Sequence, residues 1–148
     1  MNLFDKQDFE TLLKRIKNFN ETSEKQWGTL THAQMLAHCT EVLKISQHDY
    51  KKQFLIGKLF GKRFLKSILN EEHKIEKNIK SSKKLFVENP QSFKEEKEAL
   101  MSIFQKFFDK GENFYDGRLH PIFGHLTSQQ WNDITYKHLH HHLAQFSS

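Results

Sequence analysis

Residues 136–146 read YKHLHHHLAQF, which places His138, His140, His141 and His142 within five positions. Imidazole is the commonest protein ligand for divalent metals, and it moves protons near neutral pH. Purification tags are unbroken histidine runs beside linker residues. Here Leu139 interrupts the run, and an ordinary amphipathic stretch follows, Leu143, Ala144, Gln145 and Phe146. A native helix is the better reading, and its histidines need a chemical or structural reason.

A helix turns by about 100° per residue. On that spacing Trp131, Ile134, His138, His142 and Gln145 share one stripe, which Trp131 and Ile134 should turn toward the core. His138 falls near the centre of the stripe, His142 one turn beyond, and His141 at its edge, while His140 points to solvent. In a helix far upstream, Met35, His38, Val42 and Ile45 share an inward stripe with Gln34 beside it, and His32 lies off it.

Three inward imidazoles are hard to leave unpaired, because an unsatisfied buried polar group costs about 1–3 kcal/mol. One shared ion satisfies all three. His138 and His142, four residues apart, could ligate from one helix and His38 from a facing one, each nitrogen about 2.0–2.1 Å from a zinc ion. Three protein ligands leave a position open for water or substrate. Hydrogen-bonded core histidines are the alternative, and periodicity alone does not separate the two. No glutamate follows His138, which disfavours the zincin proteases. Cys39 lies about 100° round the helix from His38 and reads as a core thiol. His141 could act as a hydrogen-bond donor behind a ligand or as a general base, and Gln145 could orient a ligand or water. His120 and His125 either line a pocket mouth or serve the loop that carries them.

The elements that must position these side chains are helices. Strand-like alternation is nearly absent, and helical spacing recurs. Asp5 caps a first helix of about residues 6–19, with Phe9, Leu12, Leu13, Ile16 and Phe19 inward. Thr31 and Gln34 form a capping box that opens a helix of about 31–50, Ser92 and Glu95 open one of about 92–110, and Thr127 and Gln130 open one of about 127–146. Residues 55–70 read as one helix or two short ones, weakened by Gly57 and Gly61. Residues 71–91, with Ser81, Ser82 and Pro90, read as a long, partly irregular crossover, and 117–124 as a loop. The stretches 28–34 and 124–130 both read Gly-x-Leu-Thr-x-x-Gln, and each opens a histidine-bearing helix. The composite is an all-α bundle.

The 148 residues, 36% hydrophobic and with fourteen Phe, suit a single domain over 1–148 with one core. No apolar run approaches the roughly 18–20 residues of a membrane span. MNLFDKQDFE lacks a signal pattern, and a lone cysteine excludes an intrachain disulfide framework. The expectation is a cytoplasmic protein with no membrane partner. The net charge is +5, from lysines clustered at Lys51, Lys52, Lys58, Lys62, Arg63 and Lys66, and again at Lys74, Lys77, Lys80, Lys83 and Lys84. Such a cluster suits nucleic acid or an anionic ligand. Interleaved Glu71, Glu72 and Glu76, and the lack of any nucleic-acid-binding signature, favour a solvated face instead.

WGTLTHAQMLAHCTEVL (27–43) and HPIFGHLTSQQWNDITYKHLHHHLAQF (120–146) resemble the paired signatures of the DinB-like, or YfiT-like, superfamily. They are most similar to a bacterial branch with a Trp-Gly-x-Met/Leu-Thr-x-x-Gln-Met-Leu-Ala-His segment. FLIGKLFGK (54–62) and FKEEKEAL (93–100) also fit that branch, which often has aspartate at the position of His140. The resemblance implies a four-helix bundle of up-down-down-up order with a short extra N-terminal helix. It also implies a divalent metal (zinc, nickel or iron) on His38, His138 and His142. Relatives include transferases and isomerases that use low-molecular-weight thiols such as bacillithiol, so the resemblance implies a metal-dependent S-transferase with a small-molecule substrate. A metal-dependent hydrolase and a non-catalytic, metal-stapled bundle are the alternatives. Many relatives pair, so a homodimer is compatible with it.

Overall fold

Alternation of capping residues and apolar i, i+4 spacing yields helices where the sequence predicts them. The computed structural model describes residues 1–70 and 87–147. Among the described residues the helices are α1 (Lys6–Asn18), α2 (His32–Gln47), α3 (Leu55–Leu69), α4 (Phe93–Lys110), α5 (Glu112–Tyr115) and α6 (Ser128–Ala144). A two-stranded antiparallel sheet, β1 (Leu119–His120) with β2 (Gly124–His125), interrupts them. The fold is mostly helical. The crossover expected at 71–91 lies outside the described residues over 71–86, as do Lys74, Lys77, Lys80, Lys83 and Lys84.

The helix starts follow from side-chain chemistry. Asp5 accepts from the N–H groups of Gln7 and Asp8. The three capping boxes all form: Thr31 with Gln34, Ser92 with Glu95, and Thr127 with Gln130. The echo between 28–34 and 124–130 is capping grammar of a specific kind. In both, a glycine of positive φ (79° at Gly28, 87° at Gly124) turns the chain just before the boxed threonine. Gly111, also at positive φ, ends α4.

α2 lies between α4 and α6 and is buried on nearly every side from Met35 to Thr40. α1 packs on α4 through aromatic rings, with the Phe9 centroid 4.7 Å from that of Phe104 in a tilted pair and 4.3 Å from that of Phe108 in a stacked one. The core is one cluster that reaches from Leu3 to Phe146. Asn132 is fully buried and fully used: it accepts from the Leu3 N–H at 2.6 Å and donates to the Met1 carbonyl at 3.0 Å. The N-terminal residues are thereby fixed to α6.

α3 is a single helix, and its glycines have a different meaning from helix weakening. They lie one turn apart and face the carbonyl of Ile122 in the β1–β2 turn. A Cβ added at Gly57 would sit 2.4 Å from that oxygen, and one at Gly61 2.1 Å. The loop expected at 117–124 is in fact this small hairpin. It docks on the start of α3 through Phe54 N–H to the Pro121 carbonyl (2.8 Å) and Gln53 Nε2 to the Ile122 carbonyl (2.7 Å).

His120 organises the turn itself. Its buried Nδ1 accepts from the N–H groups of both Ile122 and Phe123, each at 3.1 Å, so its proton sits on Nε2. Burial pushes its pKa down to about 3. An unfolded chain takes up this proton as pH falls below 6.5, whereas the folded chain refuses it until about 3. His120 therefore leaves stability intact above pH 6.5 and erodes it below, by about 1.4 kcal/mol per pH unit. Urea midpoints followed from pH 7 to pH 4 should show this slope shrink by that amount in His120→Leu, even though the variant is weaker at neutral pH.

Candidate metal centre

The middle of α2 and the last two turns of α6 face each other, and three histidines meet there. His38 is buried, while His138 and His142 are half-buried. One ring nitrogen from each lies within 4.8 Å of those of the other two. His38 Nε2 stands 3.1 Å from His138 Nε2. The ring centroids are 5.1 Å apart for His38–His138, 4.8 Å for His38–His142 and 4.6 Å for His138–His142. Among the described residues this is the group of histidine, cysteine or acidic side chains arranged to hold an ion.

Electrostatics keep His138 and His142 neutral. Burial, reinforced by its neighbours His142 and His38, holds the His138 pKa well below the usual histidine range. Burial and His38 push His142 down to about 3, against an opposing hydrogen bond from Gln145. Neutral imidazole is the form that binds metals.

Gln145 settles one tautomer. Its Nε2 donates to the Trp27 carbonyl at 2.9 Å, which fixes the amide orientation. Its Oε1 can then only accept, so His142 Nδ1, 3.1 Å away, carries the proton and donates. The ligating lone pair of His142 is left on Nε2. The Gln26 N–H donates to the Gln145 carbonyl at 2.8 Å, so the strand of chain ahead of α2 is tied to the end of α6. Sequence spacing singled out Gln145 but not Trp27, whose contribution is a backbone carbonyl that no side-chain pattern reveals.

The remaining histidines do other things. His141 stands outside the trio, with its ring centroid 5.1 Å from that of His142 and 5.8 Å from that of Trp27. His140 is exposed, bonds Arg15 at 2.8 Å and stacks on Tyr136. His32 Nε2 donates to the Ser23 carbonyl at 2.8 Å. His120 and His125 serve the hairpin, the latter through the Gly117 carbonyl at 2.8 Å. Cys39 is buried beside Met35, and burial raises its thiol pKa, which keeps it an inert core thiol.

One expectation needs correcting. The inward centre of α6 is not the Trp131–Ile134–His138–His142 stripe. It runs through Trp131, Asn132, Thr135, Leu139 and Leu143, with Ile134, His138 and His142 along its flank. The N-terminal segment covers the far side of α6 through Asn132, which rotates the most buried line toward Leu139. That rotation leaves His138 and His142 half-buried at a core edge.

A family model described as protein of unknown function (DUF1569) matches residues 3–148. The chain belongs to this family. No curated protein and no solved structure matches it. In this DUF1569 chain the match spans both helices that carry the trio, and Leu3, whose N–H bonds Asn132 of α6.

Proposed function

We propose that this chain is a metal-dependent enzyme of the DinB-like kind, an up-down-down-up four-helix bundle with an extra N-terminal helix. In this reading it transfers a low-molecular-weight thiol such as bacillithiol to a small electrophile. The observation that carries it is the convergence of three imidazoles from two helices, with His138 and His142 held neutral by burial.

The donor set fits a divalent cation. His38 Nε2 and His138 Nε2, 3.1 Å apart, can share the N–H of one neutral ring or turn both lone pairs toward a cation, and a metal centre requires the second arrangement. His38, His138 and His142 would hold the ion, and imidazole suits zinc, nickel and iron. When bound, the ion supplies Lewis acidity toward a thiol or water at an open position. Gln145 locks the His142 tautomer, and the Trp27 carbonyl locks Gln145. His141, whose ring centroid lies 5.1 Å from that of His142, would be the base that takes the thiol proton. A small molecule would approach from the side of the half-buried His138 and His142, with the buried His38 behind them. Supporting features are the resemblance of 27–43 and 120–146 to the DinB-like superfamily, whose members include thiol-dependent transferases, and the absence of a carboxylate among the three ligands.

Elemental analysis of untagged protein, purified without added metal, tests the site; loss of free thiol across a panel of electrophiles tests the activity. Gln145→Ala should weaken metal binding by roughly 10–100-fold, the usual effect of losing a group that orients a ligand. Protein that stays metal-free after a zinc or nickel challenge overturns the reading. Loaded protein that consumes no thiol and hydrolyses no ester or phosphoester leaves the ion as a staple between α2 and α6.

A further inference from the structure

The outward side of α3 is apolar and cationic at once. Gly57, Gly61 and Leu65 turn inward, and the opposite side exposes Leu55, Ile56, Leu59, Phe60 and Phe64. Leu55 is 75% exposed, Leu59 69% and Phe60 50%. Large side chains stand singly on most surfaces; a contiguous set on one helix marks an interaction face. Between residues 50 and 70 the sequence also holds Lys51, Lys52, Lys58, Lys62, Arg63 and Lys66 with no aspartate or glutamate. All six are exposed, and among the described residues Lys51 alone has a carboxylate partner, Asp49.

Charge decides what this face fits. A second copy would set six cations against six more. The chain's own 71–86 stretch carries five lysines against three glutamates, so it does not neutralise them either. Single-stranded nucleic acid would match the cations and could stack bases on Phe60 and Phe64, but it offers nothing to the aliphatic Leu55, Ile56 and Leu59. An anionic bilayer surface matches both, with phosphates at headgroup depth and acyl chains just beneath. We propose that α3 is a membrane-surface helix, which lays Leu55, Leu59, Phe60 and Phe64 into the interface of an anionic leaflet while Lys58, Lys62, Arg63 and Lys66 pair with lipid phosphates. This departs from the expectation of no membrane contact, which rested on the lack of a spanning run. None of the described helices is long and apolar enough to cross a membrane, and a helix lying in the surface plane needs no such length.

Co-sedimentation of the full chain with vesicles of mixed phosphatidylglycerol and phosphatidylcholine, beside pure phosphatidylcholine, reads this out. Binding should require the anionic lipid and weaken with salt. Both Lys62→Glu/Arg63→Glu and Leu59→Ser/Phe60→Ser should bind roughly tenfold more weakly or worse, with melting temperatures near that of the wild type. Failure of the wild type to sediment with anionic vesicles overturns the proposal. So does binding that survives Leu59→Ser/Phe60→Ser, which would mean charge alone is at work, as for nucleic acid. A large loss of melting temperature in that variant overturns it as well, since the face would then be packed against the chain itself. Wild-type dimerisation abolished by the same variant, without vesicle binding, would assign the face to a second copy instead.

Discussion

Zinc at a thousandfold excess over its dissociation constant should raise the melting temperature of the metal-free protein by roughly 8–16 °C. An ion that binds only the folded chain at that excess adds about 4 kcal/mol, and a chain of this size shifts by about 2–4 °C per kcal/mol. The unfolded chain offers no such site, because His38 lies 100 positions from His138. His138→Ala should remove most of the shift. It leaves His38 and His142, a two-nitrogen site. The informative quantity is the zinc-dependent increment in each variant, since truncating a half-buried ring also alters the metal-free baseline. Scanning calorimetry of both proteins, with and without zinc, measures it. An equal increment in both would show that zinc binds elsewhere, at the other histidines of α6 for example.

Gly61→Ala should destabilise the protein, although alanine is the better helix former. The propensity gain is about 1 kcal/mol. Against it stands a Cβ placed 2.1 Å from the Ile122 carbonyl oxygen, a backbone atom that cannot swing aside as a side chain tip would. Relief requires α3 to lift from the hairpin, which strains the Phe54–Pro121 and Gln53–Ile122 bonds. Overpacking of this sort costs typically about 1–3 kcal/mol and occasionally more, so the clash outweighs the propensity, and urea denaturation should show a net loss. Ser67→Ala, an exposed position on the same helix, is the control and should be neutral or slightly stabilising. A more stable Gly61→Ala would mean that α3 does not rest on the turn at all.

Local chemistry made much of this legible. Each capping box announces its helix within four residues, so the starts of α2, α4 and α6 are written in the sequence beside them. The inward placement of His38 followed from its spacing to Met35. What spacing could not supply was anything that depends on distant chain. Gly57 and Gly61 read as weak points because their reason, Ile122, lies more than sixty positions away. The 117–124 loop hid a hairpin because two residues per strand give no alternation to detect. The line of deepest burial on α6 was misplaced by a small rotation, since the residue that sets it, Asn132, is polar and earns its burial from the backbone of Met1 and Leu3. His138 and His142 were found despite that error because a flank and a centre differ by less than a quarter turn.

The separation of the three imidazoles along the chain has a consequence for how the protein is made. A ribosome adds roughly 5–20 residues per second, so His38 emerges roughly 5–20 s before its two partners. In that interval the nascent chain has α2 without α6, and a solitary imidazole has no more hold on an ion than any other. In the proposed reading, metal capture therefore waits until α6 has been made and has packed on α2.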